Sequence, residues 1–98
     1  LEPVYSFKTP VAPSVASDLE GVKVELERVL KAIQELSKKY FLVVEGAGGI
    51  MVPITWEYTF LDMVKELHLP TVVVALNKLG VINHTLLTVE ALMFLWFR

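Results

Sequence analysis

The sequence predicts an α/β fold built around two parallel strands, and three observations lead to that class. Segments 40–45 and 71–76 are apolar and rich in β-branched residues without alternation, which is typical of strands covered on both faces. A helical pattern at about 58–67 separates them, so the three segments form a strand–helix–strand unit with a right-handed crossover. An amphipathic helical pattern at 22–39 precedes this unit, and a last helix is expected from His84 to at least Leu95.

The 98 residues are enough for one domain and too few for two. Residues 1–21 carry Pro3, Pro10 and Pro13 and are expected to form an extended arm, whereas residues 22–98 supply a helix and the βαβ core. Pro70 is expected to end the second helix, and Asn83 is the expected N-cap of the last one.

Composition excludes several classes of protein. The net charge is −2 without a basic tract, which argues against nucleic acid as a partner. Cysteine is absent, so disulfides and thiolate metal sites are excluded, and no apolar run has the length of a membrane span. Hydrophobic residues make up 54% of the chain, which favours an extensive oligomer interface or a piece of a larger sheet.

The segment from Glu45 to Gly49 is the first candidate site. Glu45 stands at the end of the first predicted strand, and Gly46, Ala47 and Gly48 follow it with almost no side chain. Ligands of open α/β sheets bind at the carboxyl ends of the strands, and a carboxylate beside exposed backbone amides suits magnesium and the phosphates it carries. A glycine-rich turn with a solvated glutamate is an equally good interpretation of these residues.

The loop at 77–83 is the second candidate. It follows the second predicted strand and precedes a helix, whose free backbone amides can bind a carboxylate or phosphate. Gly80 would allow close approach, and Lys78 could add charge. A structural loop with a capping Asn83 is the alternative. His84 could carry a proton, although an isolated histidine is more often a surface or capping residue, and His68 has no catalytic pattern around it.

Several blocks of the sequence, including both candidate sites, resemble those of the dethiobiotin synthetase family. The resemblance is carried by the sequences E-G-A-G-G at 45–49, V-P at 52–53, Y-T-F at 58–60 with Asp62, and L-G-V-I-N-H-T-L-L-T at 79–88. It extends from about residue 4 to residue 93 through several independent blocks in order. The E-G-A-G-G block also occurs in related P-loop proteins, whereas its combination with the second long block is specific.

The resemblance implies an α/β domain that is part of a P-loop NTPase-like, mostly parallel sheet with flanking helices in three layers. It implies an ATP- and Mg²⁺-dependent enzyme of biotin synthesis, a cytoplasmic homodimer that uses carbon dioxide and 7,8-diaminopelargonic acid. Glu45 would bind magnesium and, with Gly46, Ala47 and Gly48, the nucleotide. The implied substrate-binding residues are Val52, Pro53, Leu79, Gly80, Ile82 and Asn83.

The sequence departs from the family pattern in one important respect. It contains no G-x-x-x-x-G-K-[ST] phosphate-binding loop, and the family's catalytic lysine is expected in a preceding N-terminal part. The chain is therefore expected to be a central fragment, inactive alone, with no catalytic residue of its own. The alternatives are another P-loop superfamily ATPase or amidoligase, such as a cobyrinic acid amidase-like or partitioning ATPase, and a non-catalytic βαβ interaction module.

Overall fold

A computed structural model describes the backbone of residues 2–96 and the side chains of residues 2–94. Leu1, Phe97 and Arg98 lie outside the described residues. The elements in chain order are α1 (Pro13–Glu20), α2 (Leu26–Ser37), β1 (Pro53–Thr55), β2 (Tyr58–Thr59), α3 (Phe60–Leu67) and α4 (Val81–Trp96).

The helix α1 lies inside the segment that was expected to be an extended arm, so that prediction was wrong for residues 13–20. Proline is favourable in the first turn of a helix, and Pro13 occupies that place. Gly21 ends the helix in the left-handed region at φ 65°, where glycine has no steric penalty. Residues 2–12 form no helix or strand, and the Glu20 carboxylate accepts hydrogen bonds from the backbone amides of Lys8 and Thr9.

The predicted amphipathic helix at 22–39 is confirmed as α2, and the predicted helix at 58–67 as α3, each with a later start. Thr59 is the N-cap of α3 and exchanges hydrogen bonds with Asp62 in a capping box. Asp62, which the sequence analysis named only as part of the family resemblance, therefore stabilises the N-terminal end of α3. α4 begins at Val81, so Asn83 lies within its first turn and is not its N-cap as expected.

The sheet differs from the prediction. The described residues form one two-stranded antiparallel sheet, β1–β2, with Pro53 opposite Thr59 and Thr55 opposite Tyr58. Segments 41–46 and 71–76, which include most of the two predicted strands, form no ladder with each other or with the hairpin. A strand needs a neighbour for its backbone amides and carbonyls, and the described part of the chain brings none to either segment.

The hydrophobic core lies between the hairpin, α2 and α3. Val24, Ile54 and Met63 are buried at its centre. Partly buried apolar residues surround them: Tyr5, Phe7, Leu26, Val29, Leu30, Ile33, Tyr58, Phe60 and Leu67. α4 contacts this body through α3. The core thus holds the hairpin and α3 together. Both candidate sites lie outside this core, one in the segment that precedes the hairpin and the other in the segment that leads into α4.

Candidate functional site

The glycine segment lies against the first turn of α3. A Cβ atom on Gly46 would come within 3.5 Å of the Phe60 ring, and one on Gly48 would come within 3.0 Å of Val52 Cγ2. Gly48 also has φ +82°, in the left-handed region that L side chains rarely adopt. The backbone therefore passes close to its neighbours here, which is one physical reason for glycine at these two positions.

Glu45 is exposed, and the whole segment 45–49 is exposed with it. An exposed carboxylate followed by residues with little or no side chain leaves room for a bulky anion and its cation. Within the described residues, no group of three or more His, Cys, Asp and Glu side chains is placed to hold a metal ion. Magnesium often takes only one or two protein carboxylates and completes its shell with phosphates and water, so a single Glu45 fits that donor set.

The N-terminus of α3 does not offer its amides to a ligand. Phe60 N donates to Val52 O at 3.2 Å, and Leu61 N donates to Ile50 O at 2.8 Å. Asp62 N donates to Thr59 Oγ1 at 3.3 Å. The same bonds fix the position of Val52, and Pro53 pairs in the hairpin directly after it.

The N-terminus of α4 is different. Val81 N donates to Lys78 O, and His84 N donates to Gly80 O, both at 3.1 Å. Among the described residues, the backbone amides of Ile82 and Asn83 donate to no backbone or side-chain acceptor. Ile82 and Asn83 are exposed, so two unpaired helix amides face solvent beside Gly80.

A cleft of about 190 Å³ separates segment 73–78 from the first turns of α4. Its polar lining comes from Lys78, His84, Thr85 and Thr88, and its apolar lining from Val81 and residues 73–76. Lys78 and His84 were considered beside the second candidate site from the sequence, whereas the contribution of Thr85 and Thr88 was missed. Their spacing, one and two turns after Val81, places them on one face of the helix.

A wider groove of about 470 Å³ runs along α3. Tyr58 Oη donates to Glu66 Oε2 at 2.6 Å in this groove, and burial together with that hydrogen bond raises the pKa of Tyr58. The groove also contains Glu57, Asp62, Lys65 and His68. Neither candidate site contributes a residue to it.

The structure thus groups the predicted site residues in two places. The first group lies on the segment before and at the start of the hairpin, beside the first turn of α3, and consists of Glu45, Gly46, Ala47, Gly48, Val52 and Pro53. The second group lies at the start of α4 and consists of Leu79, Gly80, Ile82 and Asn83. Within the described residues no hydrogen bond joins the two groups. No described helix is both long and apolar enough to span a membrane.

Comparison with known proteins identifies the family of the chain. The AAA domain family matches residues 1–93. The ATP-dependent dethiobiotin synthetase BioD of Anaeromyxobacter dehalogenans is 49% identical over 89 residues, which cover 90% of this chain and 40% of the relative. The protein of the same name from Thermodesulfovibrio yellowstonii is 45% identical over 94 residues, covering 88% of this chain and 39% of the relative.

A third relative, the ATP-dependent dethiobiotin synthetase BioD of Fusobacterium nucleatum, is 42% identical over 90 residues and is covered to 41% of its length. The chain therefore spans about two fifths of the length of the curated relatives it matches. The chain belongs to the AAA domain family, a family of P-loop NTPases, and is similar over most of its length to ATP-dependent dethiobiotin synthetases.

Proposed function

We propose that this chain is the part of a dethiobiotin synthetase that contributes one magnesium ligand and the binding site for the substrate carboxylate. The reaction joins carbon dioxide to one amine of 7,8-diaminopelargonic acid as a carbamate. The carbamate oxygen then takes the γ-phosphoryl group of ATP and releases ADP. Attack of the second amine on the carbamoyl carbon closes the ureido ring and expels phosphate.

The observation that carries this proposal is the 42–49% identity to named dethiobiotin synthetases over about 90% of the chain. The match includes both candidate sites. It favours this activity over another P-loop ATPase or amidoligase and over a non-catalytic interaction module.

Glu45 would bind Mg²⁺, which neutralises charge on the phosphate oxygens when it is bound. The exposed backbone of Gly46, Ala47 and Gly48 would lie along the nucleotide phosphates. Position 48 has no space for a larger residue, because a Cβ atom there would come within 3.0 Å of Val52 Cγ2 and would displace the segment. Val52 and Pro53 would then flank the substrate.

The substrate carboxylate would bind at the start of α4, to Leu79, Gly80, Ile82 and Asn83. The unpaired amides of Ile82 and Asn83 and the positive end of the α4 dipole favour an anion at this place. In this proposal the enzyme is a cytoplasmic homodimer, and these residues face the substrate bound mainly by the other subunit.

The proposed enzyme also completes the sheet. Segments 41–46 and 71–76 would become parallel strands of a three-layer α/β/α fold when strands from elsewhere in the enzyme pair with them. The phosphate-binding loop and the catalytic lysine would likewise come from outside these 98 residues, in which no G-x-x-x-x-G-K-[ST] sequence occurs. We therefore expect no turnover by the 98-residue chain alone.

A chimera tests the proposal. The 89 aligned residues of the Anaeromyxobacter dehalogenans synthetase, 49% identical, are replaced by the corresponding residues of this chain. The expected result is ATP-dependent incorporation of labelled bicarbonate into dethiobiotin. A chimera that folds and binds Mg-ATP but does not convert diaminopelargonic acid would contradict the proposed substrate and favour a different amidoligase.

Two variants of the chimera separate the proposed roles. Glu45→Gln should lower kcat by about 100-fold or more, with little change in the KM of diaminopelargonic acid. Asn83→Ala should raise that KM by roughly tenfold, because it removes a polar contact to the carboxylate, and should leave the KM of ATP unchanged. Equal effects of the two substitutions on both substrates would show that the division of roles is wrong.

A further inference from the structure

Residues 46–52 form a loop, and both ends of this loop contact Phe60. At the start of the loop, a Cβ atom on Gly46 would lie 3.5 Å from Cδ1 and Cγ of Phe60 and 3.9 Å from its Cβ. At the end of the loop, Phe60 N donates to Val52 O at 3.2 Å. One residue of α3 therefore contacts the start of the loop with its side chain and the end with its backbone.

The two halves of the loop are fixed in different ways. In the second half, Val52 N donates to Gly49 O at 3.0 Å, and Leu61 N donates to Ile50 O at 2.8 Å. In the first half, within the described part of the chain, no hydrogen bond involves the backbone of residues 45–48. The side chain of Phe60 is therefore the neighbour that limits where the first half can lie.

The position of Phe60 does not depend on the loop. Its side chain is half-buried and packs against the hydrophobic core between the hairpin, α2 and α3. Its backbone is the first residue of α3, and the capping box of Thr59 and Asp62 fixes that turn. Because protein interiors are close-packed, a side chain held on one side by the core can determine the position of a segment on its other side.

We propose that Phe60 is a positioning residue for Mg-ATP. Its side chain keeps Gly46, and with it the adjoining Glu45 carboxylate, in the place where the magnesium ion and the phosphates bind. Phe60 itself touches neither ligand. The inference rests on the proposed function, because that function assigns Glu45 and residues 46–48 to Mg-ATP.

Loss of the Phe60 side chain would leave free space beside Gly46. Segment 45–48 could then take several positions, since no hydrogen bond of its backbone opposes the movement. Phosphoryl transfer is sensitive to such movement, because a misplacement of about 1 Å can lower a rate roughly 100-fold. The end of the loop would change less, because every substitution except proline keeps the amide that binds Val52 O. We therefore expect weaker binding of Mg-ATP and unchanged binding of diaminopelargonic acid.

Isothermal titration of the chimera with Mg-ATP tests the proposal without catalysis. Phe60→Ala should raise the Kd roughly tenfold and leave the KM of diaminopelargonic acid within about twofold. Phe60→Leu is the conservative variant. Leucine also has Cβ, Cγ and Cδ1, which are the Phe60 atoms nearest to Gly46, so it should keep the Kd within about threefold of the unsubstituted value.

Phe7→Ala is the matched control. Phe7 is also half-buried and packs against the same core, but it is not among the atoms nearest to Gly46 or Gly48. Its substitution should lower Tm as Phe60→Ala does and leave the Kd of Mg-ATP unchanged. Circular dichroism at the temperature of the titration shows that the variants are folded.

Nuclear Overhauser spectroscopy of the unsubstituted 98-residue chain tests the contact itself and requires no variant. Cross-peaks are expected between the ring protons of Phe60 and the α protons of Gly46. Their absence would overturn the inference even if Phe60→Ala does not fold.

Two further results would overturn the inference: an unchanged Kd of Mg-ATP in folded Phe60→Ala, or an equal increase in Kd for Phe60→Ala and Phe7→Ala. A chimera that binds Mg-ATP but does not convert diaminopelargonic acid would contradict the proposed substrate alone. The comparison of Kd values would still decide the role of Phe60.

Discussion

Gly48 and Gly49 are neighbours with different backbone requirements. Gly48 has φ +82° and almost no space for a Cβ atom, whereas Gly49 has no heavy atom within 4 Å of its Cβ position. The pattern of consecutive glycines predicted a close-approach segment without distinguishing the two positions. The distinction depends on Val52, which the following turn brings back against Gly48.

Gly48→Ala should therefore lower the free energy of unfolding by about 1–2 kcal/mol, because alanine is strained at positive φ and its Cβ would press on Val52. Urea denaturation followed by circular dichroism measures the effect. Gly49→Ala is the matched control and should be neutral or slightly stabilising. Equal destabilisation by both substitutions would contradict the assigned backbone geometry.

A second residue-scale prediction concerns Glu20. The hydrogen bonds from the backbone amides of Lys8 and Thr9 lower the pKa of its carboxyl below the ordinary value of 4.5. Since the pKa is lower in the folded state, the stabilisation is present above pH 4.5 and is lost as the pH falls through the lowered value.

Glu20→Gln should consequently lower Tm at neutral pH, and the difference from the unsubstituted chain should shrink on acidification. Thermal melts from pH 7 to below pH 4 measure the difference. Glu27→Gln, at an exposed glutamate, is the control for loss of one negative charge. A Tm difference that is independent of pH would show that Glu20 does not anchor residues 8 and 9 as a carboxylate.

At the scale of elements, local sequence signals predicted helices better than strands. The spacing of apolar residues was enough for α2 and α3, whose buried sides face the core. α1 and the β1–β2 hairpin were missed although both have local signals. Pro13 and Gly21 mark the ends of α1, and the hairpin has β-branched and aromatic residues on both sides of Trp56-Glu57. A two-residue turn without glycine or asparagine is a weak hairpin signal.

The capping box of α3 gives a prediction at this scale. Thr59→Ala should destabilise the chain by about 1 kcal/mol, because Asp62 N loses its acceptor and the helix N-terminus frays. Thr59→Ser keeps the hydroxyl and should change the free energy of unfolding by much less. Urea denaturation of the two variants measures the effect. An equal decrease in the free energy of unfolding for both variants would show that the methyl group of Thr59, and not its capping hydroxyl, stabilises the chain.

At the scale of the whole molecule, the described chain is looser than a compact domain of its length. Its radius of gyration is 14.5 Å, against roughly 12.6 Å expected for 98 residues. Phe41 and Val43 are 97% and 88% exposed, as are Val72 and Val74 at 87% and 91%. Two apolar extended segments thus present side chains and backbone to solvent.

Amide hydrogen exchange should show directly that the backbone of these two segments is exposed to solvent. Among the described residues, no backbone–backbone hydrogen bond uses an amide of 41–46 or 71–75, so these amides should exchange at nearly unprotected rates in the 98-residue chain. Amides in α3 should be protected. In the active chimera the same amides should be slowed by at least about 100-fold, since the proposed sheet pairs them. Unchanged exchange there would contradict the parallel sheet.

The sequence by itself determined the family, the amphipathic helices and the positions of both candidate sites, because motifs and apolar spacing are local properties of the chain. Tertiary structure decided the rest. Segments 41–46 and 71–76 have strand composition, yet a strand exists only where another backbone supplies its hydrogen bonds. Likewise Asn83 lies inside α4, because the chain turns into the helix at Gly80, with φ +99°, and the hydrogen bonds of the first turn run to Lys78 and Gly80. Exposure of Ile82, Leu86 and Leu87 also depends on which side of the helix finds neighbours, and a local pattern does not specify that.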